Sequence, residues 1–439
     1  LMAARSTDLF VLLDRIGKRN ELTPLGLDAA ATWRNLLRGE SGIGHISIFD
    51  ASAFPVRIAG EVKGFDDTIT AVPEALRHFA GRATKFCLAA TREALRNARI
   101  EPGSVESTRM GVSLGASEET YTLSRFDDAF VAADIYRYLE SNNLSYLRGS
   151  KPLGYIWPVR KCAHLTSQII SIAFGALGPS SASSTACASS THALGKALRM
   201  IEYGDADVVI AGGTDSCLSE FSVAGFYLLG ALSENNRNPS RASRPFDLRR
   251  NGFVLAEGSG ILIVEELQHA LKRGTPILAE LKGFGASSNS YRITDSPPDG
   301  RGPDQAMITA LRDAGMAPGE IDHINAHGTS TVINDRSETI AIKKVFGERS
   351  YRIPVTANKS MLGHSIAGAG AMELIISVLT MQHNLVPPTI NYEVKDPDCD
   401  LDYVPNEKRH CEVNAVLSNS FAFGGQNASL VAARYKGDG

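Results

Sequence analysis

The sequence predicts a layered α/β protein. Apolar runs bounded by glycine or turn residues read as buried strands: Val208 to Gly213, Ile321 to His327 and Ala415 to Phe423. Helical stripes lie between them. Leu194, Ala197, Leu198 and Ile201 fall at i, i+3, i+4 and i+7, and Ala371, Leu374, Ile375, Val378 and Leu379 repeat that spacing. The alternation runs the length of the chain, as layered α/β architecture requires. The two halves also rhyme. Each has a strand of small residues ending near a reactive side chain and then a helix, SSTAC ending at Cys187 and TANKSMLGH ending at His364. Each later has a glycine-rich strand end, IAGG at Gly213 and FAFGG at Gly425.

A seam near Arg273 to Ile277 divides the chain into residues 1–272 and 273–439, and the polar, aromatic stretch 117–160 breaks the rhythm as an insertion or cap. Asp335 with Glu338 fits a helix start with a capping-box partner.

Composition narrows the function classes. The chain has 439 residues, 43% hydrophobic, enough for one or more real cores. A net charge of −3 leaves no basic field for nucleic acid. The six cysteines, at 87, 162, 187, 217, 399 and 411, form no C-x-x-C pair, against a zinc ribbon or a disulfide framework. Apolar runs fall short of a spanning helix, and the patch Phe10 to Leu13 is too short for a signal-peptide core. The expectation is a cytoplasmic enzyme without a membrane partner.

Four segments carry candidate chemistry. Cys187 follows a run of small residues and opens a helix, where the dipole and free N–H groups favour a thiolate. A buried cysteine in a tight turn is the equal alternative. His327, in NAHGTST, ends a strand beside hydroxyls, where sites sit in open α/β sheets. A satisfied strand-end histidine looks the same. His364, in NKSMLGHSIAGAGA, follows Lys359 by five residues and precedes Glu373 by nine, and it also reads as a histidine packed under glycines. In SNSFAFGGQN, Gly424 and Gly425 permit a tight turn with exposed N–H groups, or a plain turn.

Together, TACASS at Cys187, HGTST at His327, NKSMLGH at His364 and FAFGGQN resemble the β-ketoacyl-acyl carrier protein synthases, most like the synthase II branch of the thiolase superfamily. The resemblance runs from TPLG near residue 23 to Val431 and takes in GDADVVIAGGTDS, SRPFDLRRNGFVLAEGSG and VPPTINYE. It implies a thiolase-like five-layered α-β-α-β-α duplication. It also implies an acyltransferase, a 3-oxoacyl-[acyl carrier protein] synthase of fatty acid or type II polyketide synthesis.

By that resemblance Cys187 is acylated by transfer from a carrier-protein thioester and holds the growing chain, whose carbonyl the enolate of a malonyl unit then attacks. His327 and His364 stabilise the enolate left when a malonyl thioester loses CO₂. Lys359 and the buried Glu373 supply electrostatics and position His364. The N–H groups of Cys187 and Phe423 form an oxyanion hole, and Phe423 gates the acyl pocket, which Phe226 approaches. Thr329 and Thr331 hydrogen-bond the phosphopantetheine arm, which the acyl carrier protein supplies; no cofactor or metal held by this chain is implied. A homodimer is expected, with a heterodimer beside a ketosynthase-like subunit as the other arrangement. Arg77, Arg82 and Lys85 form a candidate basic patch for the acidic carrier, or a solvated helix face.

Neighbouring branches fit less well. Biosynthetic thiolases need a second cysteine near the last glycine loop, and the last one here is Cys411. Type III synthases use Cys-His-Asn. Chain-length factors lack the cysteine, so a partner subunit that does not elongate is the second reading. Two departures stand out. The opening LFVLLDRIGKRNELTPLG lacks the family's Val-rich strand and TG-x-G, so that strand is expected to be distorted or replaced. Glu118, in LGASEETY, falls where an apolar pocket residue is common. A carboxylate there implies a shortened, polar or shared acyl pocket.

Overall fold

A computed structural model describes residues 9–12 (backbone only), 21–65, 72–77, 79–117 and 162–437. Glu118 and the insertion 117–160 therefore lie outside the described residues, apart from Ser117.

The strands, numbered in chain order, are β1 (Leu9–Leu12), β2 (Glu21–Leu22), β3 (Ile43–His45), β4 (Ile58–Gly60), β5 (Met110–Ala116), β6 (Ser180–Ser183), β7 (Val208–Ser216), β8 (Glu257–Glu266), β9 (Ala279–Ser288), β10 (His323–Asn325), β11 (Val355–Thr356), β12 (Leu385–Val386), β13 (Arg409–His410), β14 (Ala415–Phe421) and β15 (Gln426–Ala433). Two stretches of the large sheet repeat one design. In the first half the order is β6-β5-β7-β8-β1, and in the second it is β11-β10-β14-β15-β9. Both stretches have their first three strands parallel and the last two antiparallel. A short β1–β9 pairing, Phe10 with Glu280 and Val11 with Ala279, joins them. The opening segment thus does contribute a strand, and β2 adds a second pairing to β8. β3–β4 and β12–β13 are separate hairpin pairs. We propose the division of the chain at 272/273, in the last turn of the helix Leu267–Arg273, before β9 starts the second copy of the order.

Helices fill three layers. Arg82–Asn97 and His164–Phe174 cover the outer face of the first half, and Pro303–Ala314 packs on β9 and β15 of the second. Between the halves lie Ser189–Glu202 and Ala369–His383, in contact with each other and with strands of both halves. This is the five-layered α-β-α-β-α arrangement. The apolar stripe of Ala369–His383 reads in the sequence as one core face, yet every residue from Ala369 to Met381 is buried. A helix sandwiched between two sheets has no solvent face to mark with charges. The stretch Ile366–His383 is long and apolar enough to span a membrane by composition, and 89% of it is buried in the protein core.

Two local expectations are corrected. The helix Val332–Phe346 is capped by Thr331, whose hydroxyl accepts the Asn334 N–H, and not at Asp335. Asp335 and Glu338 are wholly buried on that helix. Arg82 is not available to a basic patch, because its guanidinium grips Glu257 at 2.6 and 2.8 Å and the Val62 carbonyl at 3.0 Å. Arg77 is exposed.

Candidate active site

The turn after β6 presents Cys187. Ala186 takes a positive φ of 46°, a strained value for a residue with a Cβ. Ser189 holds the turn through its hydroxyl, which accepts the Thr185 N–H at 2.8 Å and donates to the Ala186 carbonyl at 2.6 Å. Cys187 sits in the single 3₁₀ turn Ala186–Ala188, and the helix Ser189–Glu202 follows. Gly115 on β5 lets this turn press against the sheet, since a Cβ there would lie 2.3 Å from the Ser190 nitrogen.

Burial pushes the Cys187 thiol up to about 12, against the opposing pull of the Lys359 charge and of the N–H groups of Phe423 and Cys187 itself. The thiolate expected from the helix start is therefore not the resting form; desolvation outweighs the favourable dipoles. The same observation places both expected oxyanion donors at the sulfur.

His327 lies two residues beyond β10. Its backbone N–H and that of Gly328 donate to the two oxygens of Glu338 at 2.8 and 2.9 Å. The Lys359 ammonium donates to the His327 carbonyl at 2.8 Å, faces its Nδ1 at 3.4 Å and pairs with Glu373. Lys359 thus supports His327 directly, whereas the sequence assigned it to positioning His364. An ammonium facing Nδ1 favours the tautomer with the proton on Nε2. Burial, then Lys359, then His364 hold the His327 pKa well below its usual value, so the ring is neutral.

His364 is set by backbone. Its N–H donates to the Val254 carbonyl at 2.8 Å, and its carbonyl accepts from Ala256 at 3.0 Å. The ring meets His327 edge-on at 5.4 Å and Phe253 at 5.3 Å. Neither ring nitrogen has a hydrogen-bond partner among the described residues. Burial and then Lys359 depress its pKa too. The Cys187 sulfur and a nitrogen from each imidazole converge within 4.8 Å.

A cavity of about 230 Å³ opens onto these three groups, lined also by Thr329, Thr331, Phe421 and Phe423, with Leu229, Val332 and Ile333 among the residues farther along its wall. The hydroxyls of Thr329 and Thr331 lie 2.9 Å apart. Phe226 is not on the cavity wall. It stacks edge-on against Phe253, which is, at 5.5 Å. Sequence reasoning missed the clamp of Glu338 on His327, and it missed Asp215, a buried carboxylate at the end of β7 that accepts the Ala367 N–H. The acidic residue in the small, polar end of β7, GGTDS, was the available signal for Asp215.

Fold and centre together define a class: duplicated α/β enzymes in which one buried cysteine and two neutral imidazoles face a narrow cavity, the equipment for carrying an acyl group as a thioester. The comparisons agree. Residues 21–270 match the β-ketoacyl synthase N-terminal domain and residues 278–393 the C-terminal domain. The chain is 40% identical to the 3-oxoacyl-[acyl-carrier-protein] synthase 2 of Coxiella burnetii, over 94% of this chain and 96% of that one. It is 39% identical to the tetracenomycin polyketide synthase ketoacyl synthase alpha subunit of Streptomyces glaucescens, over 98% and 99%. Among solved structures, a type II polyketide synthase acyl-carrier protein in complex with its ketosynthase bound to the hexaketide superposes with a TM-score of 0.82 at 32% identity, covering 98% of this chain and 100% of that one. The chain belongs to the β-ketoacyl synthase family.

Proposed function

We infer that the protein joins an acyl group held on Cys187 to a malonyl unit on an acyl carrier protein, giving a 3-oxoacyl-carrier thioester in fatty acid or type II polyketide synthesis. The observation that carries this reading is the convergence of the Cys187 sulfur and the two imidazoles within 4.8 Å, with the Phe423 and Cys187 N–H groups aimed at the sulfur.

In the loading step the Cys187 thiol attacks the acyl-carrier thioester. Its proton goes to the departing carrier thiolate. The negative oxygen of the tetrahedral adduct receives the Cys187 and Phe423 N–H groups. Malonyl-carrier then enters, its phosphopantetheine arm meeting Thr329 and Thr331. Loss of CO₂ leaves its electron pair as an enolate, whose oxygen accepts the His327 Nε2–H and a His364 N–H. Carbon–carbon bond formation at the acyl carbonyl expels the Cys187 thiolate. Neutral imidazoles suit this step, because they donate without a full charge that would hold the malonyl carboxylate back. Glu373 keeps the Lys359 charge in place beside His327.

The carrier is the expected partner, as in the superposed complex, and the arm is its own. A homodimer is our first expectation. A heterodimer is the second, supported by the Streptomyces relative being an alpha subunit.

The test is intact-mass spectrometry with a panel of acyl-carrier thioesters, followed by malonyl-carrier. An adduct absent in Cys187→Ala, and released as a 3-oxo product, is the expected result. No adduct from any donor points to a subunit that does not elongate by itself.

A further inference from the structure

The turn behind His364 repeats the turn before Cys187. In the first half Ala186 has φ 46°, the 3₁₀ turn Ala186–Ala188 follows, and then a helix of the central layer. In the second half Ile366 has φ 37°, the 3₁₀ turn Ile366–Gly368 follows, and then the other central helix. The equivalent of Cys187 is therefore Ala367, three residues beyond His364. Positive φ at a β-branched residue is a true outlier, and such strain persists only where the surroundings over-determine it.

The surroundings here are Asp215, 2% exposed at the end of β7. Its Oδ2 accepts the Ala367 N–H at 2.9 Å and the Ser117 hydroxyl at 2.6 Å. The carboxylate also accepts from the Ser216 N–H and the Cys217 thiol. In the first half the matching N–H, that of Cys187, faces the reacting sulfur. In the second half it is closed by a carboxylate.

We propose that Asp215 is a positioning residue for the condensation: it pins the strained Ile366 turn that supports His364 and ties it to the end of β5 through Ser117. The Ser216 and Ala367 N–H groups can only donate, so the carboxylate serves both as an acceptor. An asparagine at 215 turns an N–H₂ toward at least one of its donors. The proposal rests on the condensation reading above, with His364 acting mainly after malonyl entry.

The experiment compares wild type with Asp215→Asn in two half-reactions, acyl loading of Cys187 and decarboxylation of malonyl-carrier, and in the pH profile of Cys187 alkylation by iodoacetamide. Decarboxylation should fall roughly tenfold or more, as expected for a displaced oxyanion donor, with loading changed by less than about threefold. Removing the negative charge should move the alkylation midpoint to lower pH, because Asp215 raises the Cys187 thiol. Ile366→Gly, which takes positive φ freely, should shrink the decarboxylation loss when combined with Asp215→Asn. Equal slowing of both half-reactions with an unmoved alkylation profile overturns the proposal and leaves Asp215 a packing residue. If Asp215→Asn does not fold, Ser117→Ala removes one donor to the same oxygen and is read in the same two half-reactions, where equal or no slowing overturns the idea. A wild-type enzyme that neither loads nor decarboxylates sinks the condensation reading, and the alkylation profile still decides on the Asp215 charge.

Discussion

The Glu338 carboxylate accepts the His327 backbone N–H at 2.8 Å and that of Gly328 at 2.9 Å, so the helix that follows, Val332–Phe346, sets the strand end that carries the imidazole. Burial pushes this carboxyl up to about 7.

Glu338→Gln offers one acceptor to two N–H groups, and leaving one unpaired should cost about 1–3 kcal/mol of stability. The pH dependence has a definite sign. A carboxyl whose folded pKa lies above its ordinary 4.5 binds protons more tightly when folded, so its contribution is present below pH 4.5 and is lost as pH rises through about 7. The stability gap between wild type and variant should therefore narrow from pH 4.5 to 7, by at most about 3 kcal/mol. Urea unfolding at several pH values measures it, and a gap that widens with pH contradicts the assignment.

Lys359 is the first charge that favours the Cys187 thiolate against burial. Lys359→Met should raise the thiol further and slow its alkylation at pH 8 by about tenfold for each pKa unit gained. Stopped-flow or mass-spectrometric alkylation reads this directly, and an unchanged rate removes Lys359 from the thiol's electrostatics.

His327→Ala and His364→Ala each take one donor from the enolate oxygen and should slow malonyl decarboxylation by about 10²–10³-fold. Loading of Cys187 should change far less in both variants, since its tetrahedral adduct is served by the Cys187 and Phe423 N–H groups. Following CO₂ release and acyl-enzyme mass in parallel checks both statements, and loading slowed as much as decarboxylation denies the imidazoles a role specific to the enolate.

Gly115→Ala places a Cβ 2.3 Å from the Ser190 backbone nitrogen. Backbone cannot rotate away as a side chain can, so the turn bearing Cys187 must shift. Overpacking of this kind costs about 1–3 kcal/mol. Denaturant unfolding should show that loss together with slower acyl loading, and a variant as stable and as active as wild type refutes the close approach.

Some of this was legible in the chain because it is written locally. Strands of β-branched residues, the stripe from Leu194 to Ile201 and the motifs at Cys187, His327, His364 and Phe423 each occupy a few consecutive positions. The five-layer duplication and the family also follow from motifs kept in order. What misled was equally local. Asp335 with Glu338 has the spacing of a helix start, although Thr331 caps the helix and both carboxylates turn inward. The rhyme of the halves set Cys187 against His364, whereas the backbone sets it against Ala367, because only φ angles reveal which residue occupies the strained turn.

The sequence by itself determined the layered α/β scaffold, the candidate cysteine with its two candidate imidazoles, and the family. The tertiary structure alone decided their chemistry. Whether Cys187 rests as a thiol depends on how completely β5, the central helices and the Phe423 loop exclude water, and burial there outweighs the dipoles that its position on a helix suggests. Which histidine Lys359 supports, and which N–H Asp215 closes, depends on contacts between segments far apart in the chain, such as the 152 positions between Asp215 and Ala367. A string of residues carries spacing along the chain; hydrogen bonds and desolvation are set by distances across it.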